Sequence, residues 1–145
     1  MPTRYKYRTY RGKKVLKSSK PNIVAEEPEQ LAGSVDGDQA SDIEERFARA
    51  LKKRKKDFIF RMALGDRYQP GWKELDFLVI DGGYFPIEID ETGFIHLGKQ
   101  TEDAIKDAFI MDYLKDYSPQ PVRRIPGERL NTQELADYTA KELFP

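Results

Sequence analysis

Two short apolar runs, together with the residue just before the first run, carry four acidic residues and flank a glycine-rich turn. The runs span residues 75–80 and 84–90, and the turn is Asp81-Gly82-Gly83. Apolar runs around such a turn are typical of a β-hairpin. Because strand side chains alternate between the two faces of a sheet, acids two positions apart on one run share a face. The sequence therefore predicts a cluster of carboxylates on one face of a hairpin.

The register of this hairpin decides which acids oppose each other. Counting back from the turn pairs Asp76 with Glu88 and Glu74 with Asp90, although a bulge at a three-residue turn would shift the register by one. Like charges placed directly opposite each other destabilise a sheet. A hard divalent cation removes the conflict, since Mg²⁺ binds oxygen ligands. We therefore interpret Asp76 and Glu88 as metal ligands, with ordinary surface acids as the alternative.

Five further residues could complete a site for phosphodiester hydrolysis. Glu44 is a third candidate ligand, or simply an acid in the first turn of a helix. Asp90 shares the face of Glu88 and could hold a water molecule or a cation. His96 could ligate metal, position water or protonate the leaving oxygen, or be structural. Lys99 and Lys106 could neutralise the phosphate, or be solvated lysines.

The composition excludes several other chemistries. The chain has 145 residues, no cysteine and a formal net charge of zero. Disulfides, zinc–thiolate sites and thiol nucleophiles are therefore excluded. No apolar run of 18 residues occurs, so we expect no membrane span. The basic start of the chain lacks an apolar core and is not typical of a secretory signal. We expect a cytoplasmic protein, or one of the host cytoplasm if the chain is viral.

The positive charge is concentrated at the N-terminus. Residues 1–20 hold eight lysines and arginines and no acid, which leaves a net charge of −8 on the other 125 residues. Such a block is typical of a flexible arm that contacts nucleic acid or an acidic partner, with a solvated tail as the alternative. Interleaved tyrosines could stack on bases. The predicted DNA contacts are Arg4, Arg8, Arg11, Lys13, Lys14, Lys99, Lys106 and Arg124.

The remaining pattern predicts an arm and linker over residues 1–40 and a domain over residues 41–145. Ser41 begins a capping box, so a helix should start there. The predicted order is α-β-β-β-α-β-α, which gives one α/β domain with a mixed sheet flanked by helices. The other predicted elements are a strand at 58–63, the hairpin strands, a helix at 101–116, a strand at 121–125, and a last helix that begins with a capping box at Asn131. In the helix at 101–116, the residues predicted to face inward are Ile105, Ala108, Phe109 and Leu114.

Short motifs occur in a fixed order along this domain. They are Leu75-Asp76-Phe77, Ile87-Glu88-Ile89-Asp90, His96, Asp103-Ala-Ile-Lys106-Asp107 and Val122-Arg-Arg124-Ile125. With an acid on the preceding helix, this set resembles the PD-(D/E)XK, or restriction-endonuclease-like, nucleases, in particular the branch near very-short-patch mismatch repair endonucleases. The resemblance spans about residues 41–144 and implies a restriction-endonuclease-like core.

The resemblance also implies residue roles. These are the helix acid (Glu44), the central and second metal ligands (Asp76 and Glu88), the branch histidine (His96), the acid and the basic residue of the second helix (Asp103 and Lys106), and the arginine that closes the fourth strand (Arg124). Asp90 falls where many members of the family carry a lysine. The cation usually found near the attacking water would then have to come from elsewhere in this chain.

The sequence thus predicts a Mg²⁺- or Mn²⁺-dependent DNA endonuclease. One alternative is a nuclease-like domain without activity that binds nucleic acid or a partner in a larger nucleoprotein or viral assembly. Another is a junction-resolving nuclease, which would share the site and require a homodimer. All three rest on the convergence of acids from two neighbouring strands.

Overall fold

Three α-helices and six strands make up the part of the chain that this computed structural model describes, residues 29–66, 70–91 and 97–145. Short 3₁₀ turns at Lys115–Tyr117 and Gly127–Leu130 join some of them. In chain order the elements are β1 (Ser34–Val35), β2 (Asp38–Gln39), α1 (Asp42–Lys53), β3 (Asp57–Leu64), β4 (Lys73–Ile80), β5 (Tyr84–Asp90), α2 (Leu97–Tyr113), β6 (Arg123–Pro126) and α3 (Gln133–Leu143).

The main sheet has four strands in the order β3-β4-β5-β6. β3, β4 and β5 are antiparallel neighbours, and β6 runs parallel to β5. This confirms the predicted α/β class, the mixed sheet and the order α-β-β-β-α-β-α from α1 onward. The β4–β5 hairpin pairs Ile80 with Tyr84 and Leu78 with Pro86, so its turn introduces no shift in register.

Helices α1 and α3 cover one face of this sheet. Phe47 of α1 and Phe77 of β4 are fully buried, and their rings meet edge to face with centroids 5.1 Å apart. Helix α1 starts as predicted, because Ser41 and Glu44 form a capping box in which each side chain accepts the other's backbone N–H. Its C-terminal turn carries Lys52 and Lys53, which complement the helix dipole.

Helix α2 covers the opposite face, but of the four residues that we predicted to face inward only Leu114, which directly follows α2, is buried. Ile110 and Leu114 are buried against Leu78 and other residues of that face. Ile105 and Phe109 are exposed, and so is Ala108. The prediction was wrong for Ile105, Ala108 and Phe109 because this part of α2 turns charged side chains toward the sheet, where they meet charged partners.

The predicted linker is structured over its last residues. Val35 is buried in the core, and β1 and β2 pair around the dipeptide Asp36-Gly37, where both residues have positive φ. The buried carboxylate of Glu45 on α1 accepts the backbone N–H groups of Ala32 and Gly33 at 2.8 and 2.7 Å. Residues 32–40 therefore belong to the folded unit. An Asp-Gly pair is a strong signal for a two-residue hairpin loop, and it was present in the sequence.

Other boundaries differ by a few residues from those predicted. α2 begins at Leu97 rather than at residue 101, and β6 begins at Arg123. The cap of α3 is Thr132, whose hydroxyl accepts the N–H of Leu135, rather than Asn131. Both residue types cap helices well, so the sequence did not distinguish the two.

Candidate metal and phosphodiester site

Asp76 and Glu88 meet where strands β4 and β5 stop pairing through their backbones. The ladder ends at Phe77 opposite Ile87. Beyond it, the N–H of Asp76 donates to Glu88 Oε2 at 3.0 Å, and the N–H of Ile89 donates to Asp76 Oδ2 at 2.8 Å. Each carboxylate thus bonds to the other strand's backbone. The two acids lie beside each other, which is the placement that the sequence predicted.

The alternation of β4 breaks at this level. Phe77 and Val79 pack in the core under α1 and α3, whereas Leu75 packs in the core under α2. On β3, Arg61 lies between the residues that pair with Phe77 and Leu75 and has a φ of 55°, a left-handed conformation that is uncommon for residues other than glycine. Strained backbone of this kind persists where surrounding structure imposes it, often at functional sites. At the same level the carboxylates of Asp76 and Glu88 each bond to the backbone of the other strand.

Burial and charge raise the pKa of Asp76 to about 7. Desolvation is the largest cause, and the nearby negative charge of Glu88 is the next. The N–H of Ile89 and the ammonium of Lys106 act in the opposite direction. Glu88 is itself only 4 % exposed. Two acids are therefore held together where repulsion and desolvation both disfavour negative charge, and a bound cation would relieve both.

Glu44 contributes charge to this site from α1. Its Oε1 accepts the N–H of Ser41 at 2.9 Å, so Glu44 acts as a capping acid, the alternative that the sequence left open. Its negative charge also raises the pKa of Asp76 and that of Glu91. Desolvation is the larger cause for both groups. The Glu44 carboxylate therefore lies near enough to Asp76 for its negative charge to strengthen the attraction of the site for cations, with or without direct coordination.

A cavity of about 400 Å³ opens between the end of β5, the start of β6 and residues 102–106 of α2. Glu88 and Asp90 line it from the sheet, and Lys106 and Arg124 line it with cationic groups. A second hollow of about 460 Å³ lies at the start of α1, beside Glu91 and Gly127, and is not lined by Glu88. Asp76 lines neither cavity and lies next to Glu88, at the wall of the first. The first cavity holds both charge signs that phosphodiester chemistry needs, so we regard it as the candidate substrate cleft.

Lys73, Lys106 and Arg124 are the cations that line this cavity, and acids engage Lys106 and Arg124. Lys106 Nζ lies 2.7 Å from Glu88 Oε1. Arg124, which is the register partner of Glu88 on β6, bonds through Nη2 to Asp107 Oδ1 at 2.6 Å and lies 3.5 Å through Nη1 from Asp103. These pairs explain why charged residues of α2 face the sheet. Sequence spacing contained no signal for the contact between Lys106 and Glu88.

The other predicted functional residues lie outside the described residues. His96 and the arm residues Arg4, Arg8, Arg11, Lys13 and Lys14 belong to this group, as does the side chain of Lys99. The basic run at the end of α1 is largely used within the fold. Lys52, Lys53 and Lys56 pair with Asp36, Asp137 and Asp81.

The donor set at Asp76 and Glu88 fits one hard divalent cation held by few protein ligands. One oxygen of each carboxylate accepts a backbone N–H, so the oxygens best placed for a metal are Asp76 Oδ1 and Glu88 Oε1, the latter in exchange for Lys106. Mg²⁺ commonly binds through one or two carboxylates and completes its shell with water and substrate phosphate. Among the described residues, no group of three or more histidine, cysteine or acidic side chains is arranged to hold a metal ion.

Comparisons with protein-family models, with curated proteins and with solved structures found no significant match to this chain. Within the described part of the chain, no helix is long and apolar enough to cross a membrane. The site must therefore be interpreted from its own geometry.

Proposed function

We propose that this protein is a Mg²⁺- or Mn²⁺-dependent DNA endonuclease with a restriction-endonuclease-like core. The observation that supports the proposal is the mutual bonding of Asp76 and Glu88 across β4 and β5, in surroundings that raise the pKa of Asp76 to about 7. Natural sequences seldom keep a costly acidic pair in the middle of a sheet without a use for it. The order of elements around the pair agrees with that core.

Asp76 Oδ1 and Glu88 Oε1 are the atoms that would hold the metal. A divalent ion bound there supplies a nucleophilic hydroxide and neutralises charge on the scissile phosphate. The N–H groups of Asp76 and Ile89 fix the two carboxylates, so that little ordering remains when an ion binds. Lys106 and Arg124 bring positive charge to the cleft where a phosphate would lie. Asp90 lines the same cleft and can orient a water molecule.

DNA as the substrate rests on charge distribution. Residues 21–145 carry a net charge of −8, so the domain by itself repels a polyanion. The eight cations of residues 1–20 compensate this charge. An acidic domain with a basic N-terminal segment can bind DNA through that segment and present the phosphodiester to the cleft.

The test is a cleavage assay on supercoiled plasmid and on short duplexes with Mg²⁺ or Mn²⁺, using Asp76→Asn. Asparagine keeps the size of the side chain and can still accept the N–H of Ile89, so the fold should survive. Activity should fall on the order of 100-fold or more, as when one electrostatic group is removed from an active site. Asp137→Asn, which removes an acid that pairs with Lys53 on the surface, is the matched control. Undiminished cleavage by Asp76→Asn would refute the proposed chemistry.

A catalytically inactive nuclease-like module is the second candidate. The observation that favours it is the ion pair of Lys106 with Glu88, which already neutralises one of the two acids. Calorimetric titration of the full chain with Mg²⁺ and Mn²⁺ near neutral pH separates the two candidates. An endonuclease should bind at least one of these ions through Asp76, and Asp76→Asn should abolish the heat. Absence of binding for both ions favours the module.

A further inference from the structure

One carboxylate oxygen of Glu88 is occupied by a cation of the protein itself. Lys106 Nζ lies 2.7 Å from Glu88 Oε1, while the other oxygen, Oε2, accepts the N–H of Asp76. The Glu88 side chain is 5 % exposed and the Lys106 side chain is 29 % exposed. The ammonium therefore reaches a buried carboxylate from a position at the edge of the cavity.

This arrangement gives the ammonium and a metal ion the same ligand atom. A metal bound by Asp76 and Glu88 would take Oε1 in preference to Oε2, because Oε2 already accepts the backbone N–H of Asp76. Two positive charges on neighbouring sites also repel each other at short range. Binding of a divalent ion must therefore weaken or break the contact between Lys106 and Glu88.

The flexible stem of lysine makes such an exchange feasible. An ammonium on four methylene groups can leave one partner and turn toward solvent or another acceptor at small cost. Arg124, by contrast, is held by two acids of α2. Lys106 lines the cavity, so an ammonium released from Glu88 stays in the cleft, where an anionic ligand can meet it.

We propose that Lys106 is an internal counter-ion of Glu88 that a divalent cation displaces, so that Lys106 sets the metal affinity of the site. The proposal rests on the proposed metal-binding function. It assigns Lys106 a positioning role: the residue keeps the acidic pair folded without metal and lowers the affinity of the pair for metal. Without metal, the ion pair forms because a buried Glu88 carboxylate with no cationic partner would cost more free energy than the paired one.

The first test measures Mn²⁺ binding by calorimetry at pH 8.0, where Asp76 is mostly ionised, for the wild type, Lys106→Met and Lys106→Arg. Methionine keeps the stem and removes the charge, so the dissociation constant for Mn²⁺ should fall by about two- to fivefold, the scale of one partly screened ion pair. Lys106→Arg keeps the competing charge and should stay closer to the wild type. Lys53→Met removes a surface cation and should leave the affinity unchanged.

The second test uses the wild-type chain and therefore does not depend on the folding of a variant. Brief acetylation of lysines followed by mass spectrometry reports how freely each ammonium can react. Mn²⁺ should increase the acetylation of Lys106 several-fold, because the ion releases it from Glu88, and should leave Lys53 unchanged. Mg²⁺ in place of Mn²⁺ should act in the same direction.

The outcomes separate this inference from the proposed function. Tighter Mn²⁺ binding by Lys106→Met, together with metal-dependent exposure of Lys106, supports the counter-ion role. Equal or weaker binding by Lys106→Met, or unchanged acetylation of Lys106 at saturating Mn²⁺, overturns the role and leaves the metal site standing. Absence of Mn²⁺ binding in the wild type and in every variant overturns the proposed function and the inference with it.

Discussion

The backbone N–H of Asp76 donates to the carboxylate of Glu88 at the level where the β4–β5 ladder has ended. Here a side chain takes the place of a backbone acceptor. In the reciprocal bond, the carboxylate of Asp76 accepts the N–H of Ile89. The separation of the two strands therefore leaves no buried N–H without an acceptor at these two positions. It also makes the carboxylates part of the sheet, so their geometry is fixed by the fold rather than by a loop.

The raised pKa of Asp76 predicts a specific pH dependence of stability. In the unfolded chain the pKa is near 3.8 and in the folded protein it is about 7. Between these values the folded state holds a proton that the unfolded state has lost, so this group lowers stability as pH rises from about 4 to 7.

Urea unfolding of the wild type and of Asp76→Asn, with a metal chelator present, measures this effect. The free energy of unfolding of Asp76→Asn minus that of the wild type should increase by about 2–4 kcal/mol between pH 4.5 and pH 8. Asp137→Asn corrects for the general effect of removing one acid. A difference that stays flat across this window would show that Asp76 titrates normally.

Glu45 should anchor the segment before α1. Its buried carboxylate accepts two backbone N–H groups and pairs with Arg49. Glu45→Ala leaves those groups without their acceptor and should lower the free energy of unfolding by about 2–3 kcal/mol. Limited proteolysis should then cut within residues 30–40 before the rest of the domain. Glu142→Ala, which removes a surface acid paired with Arg129, should cost less than about 1 kcal/mol and leave the cleavage pattern unchanged.

Gly127 should tolerate no side chain. A Cβ there would lie 3.0 Å from Ile43 Cδ1 and 3.1 Å from the carbonyl oxygen of Asp90, which is backbone and cannot turn away. Gly127→Ala should therefore destabilise the protein by about 1–3 kcal/mol, as overpacking does. At Gly83 a Cβ would meet only Phe85 at 3.6 Å, an ordinary contact. Thermal unfolding of both variants provides the comparison, and equal melting temperatures would contradict the predicted clash.

The basic N-terminal segment should supply the electrostatic part of DNA affinity. Removal of residues 1–20 takes away all eight of their cations and leaves a chain with a net charge of −8. Binding to a short duplex should weaken, and the slope of log affinity against log salt should become shallower by about 0.9 for each phosphate that the shortened chain no longer neutralises. Fluorescence anisotropy over a series of salt concentrations measures both quantities. An unchanged slope would assign the phosphate binding to the domain itself.

Much of the fold could be predicted from local signals. Apolar runs around the Asp81-Gly82-Gly83 turn predicted the hairpin and its register, and the capping box at Ser41 predicted the start of α1, because turn chemistry and caps act over a few residues. The inward face of α2 could not be found in this way. Apolar spacing favoured Ile105 and Phe109, yet Asp103 and Asp107 turn toward the sheet because Arg124, distant in sequence, pairs with them.

The sequence by itself determined that Asp76 and Glu88 come close together, since hairpin register follows from the turn and from the two-residue period of strands. The tertiary structure decided the rest of the site. Three of its features depend on packing between elements. They are the left-handed backbone of Arg61, the bonds of Asp76 and Glu88 to each other's strands, and the contact of the Lys106 ammonium with Glu88. Long-range packing of this kind has no periodic signature, so only the folded structure shows which charge meets which.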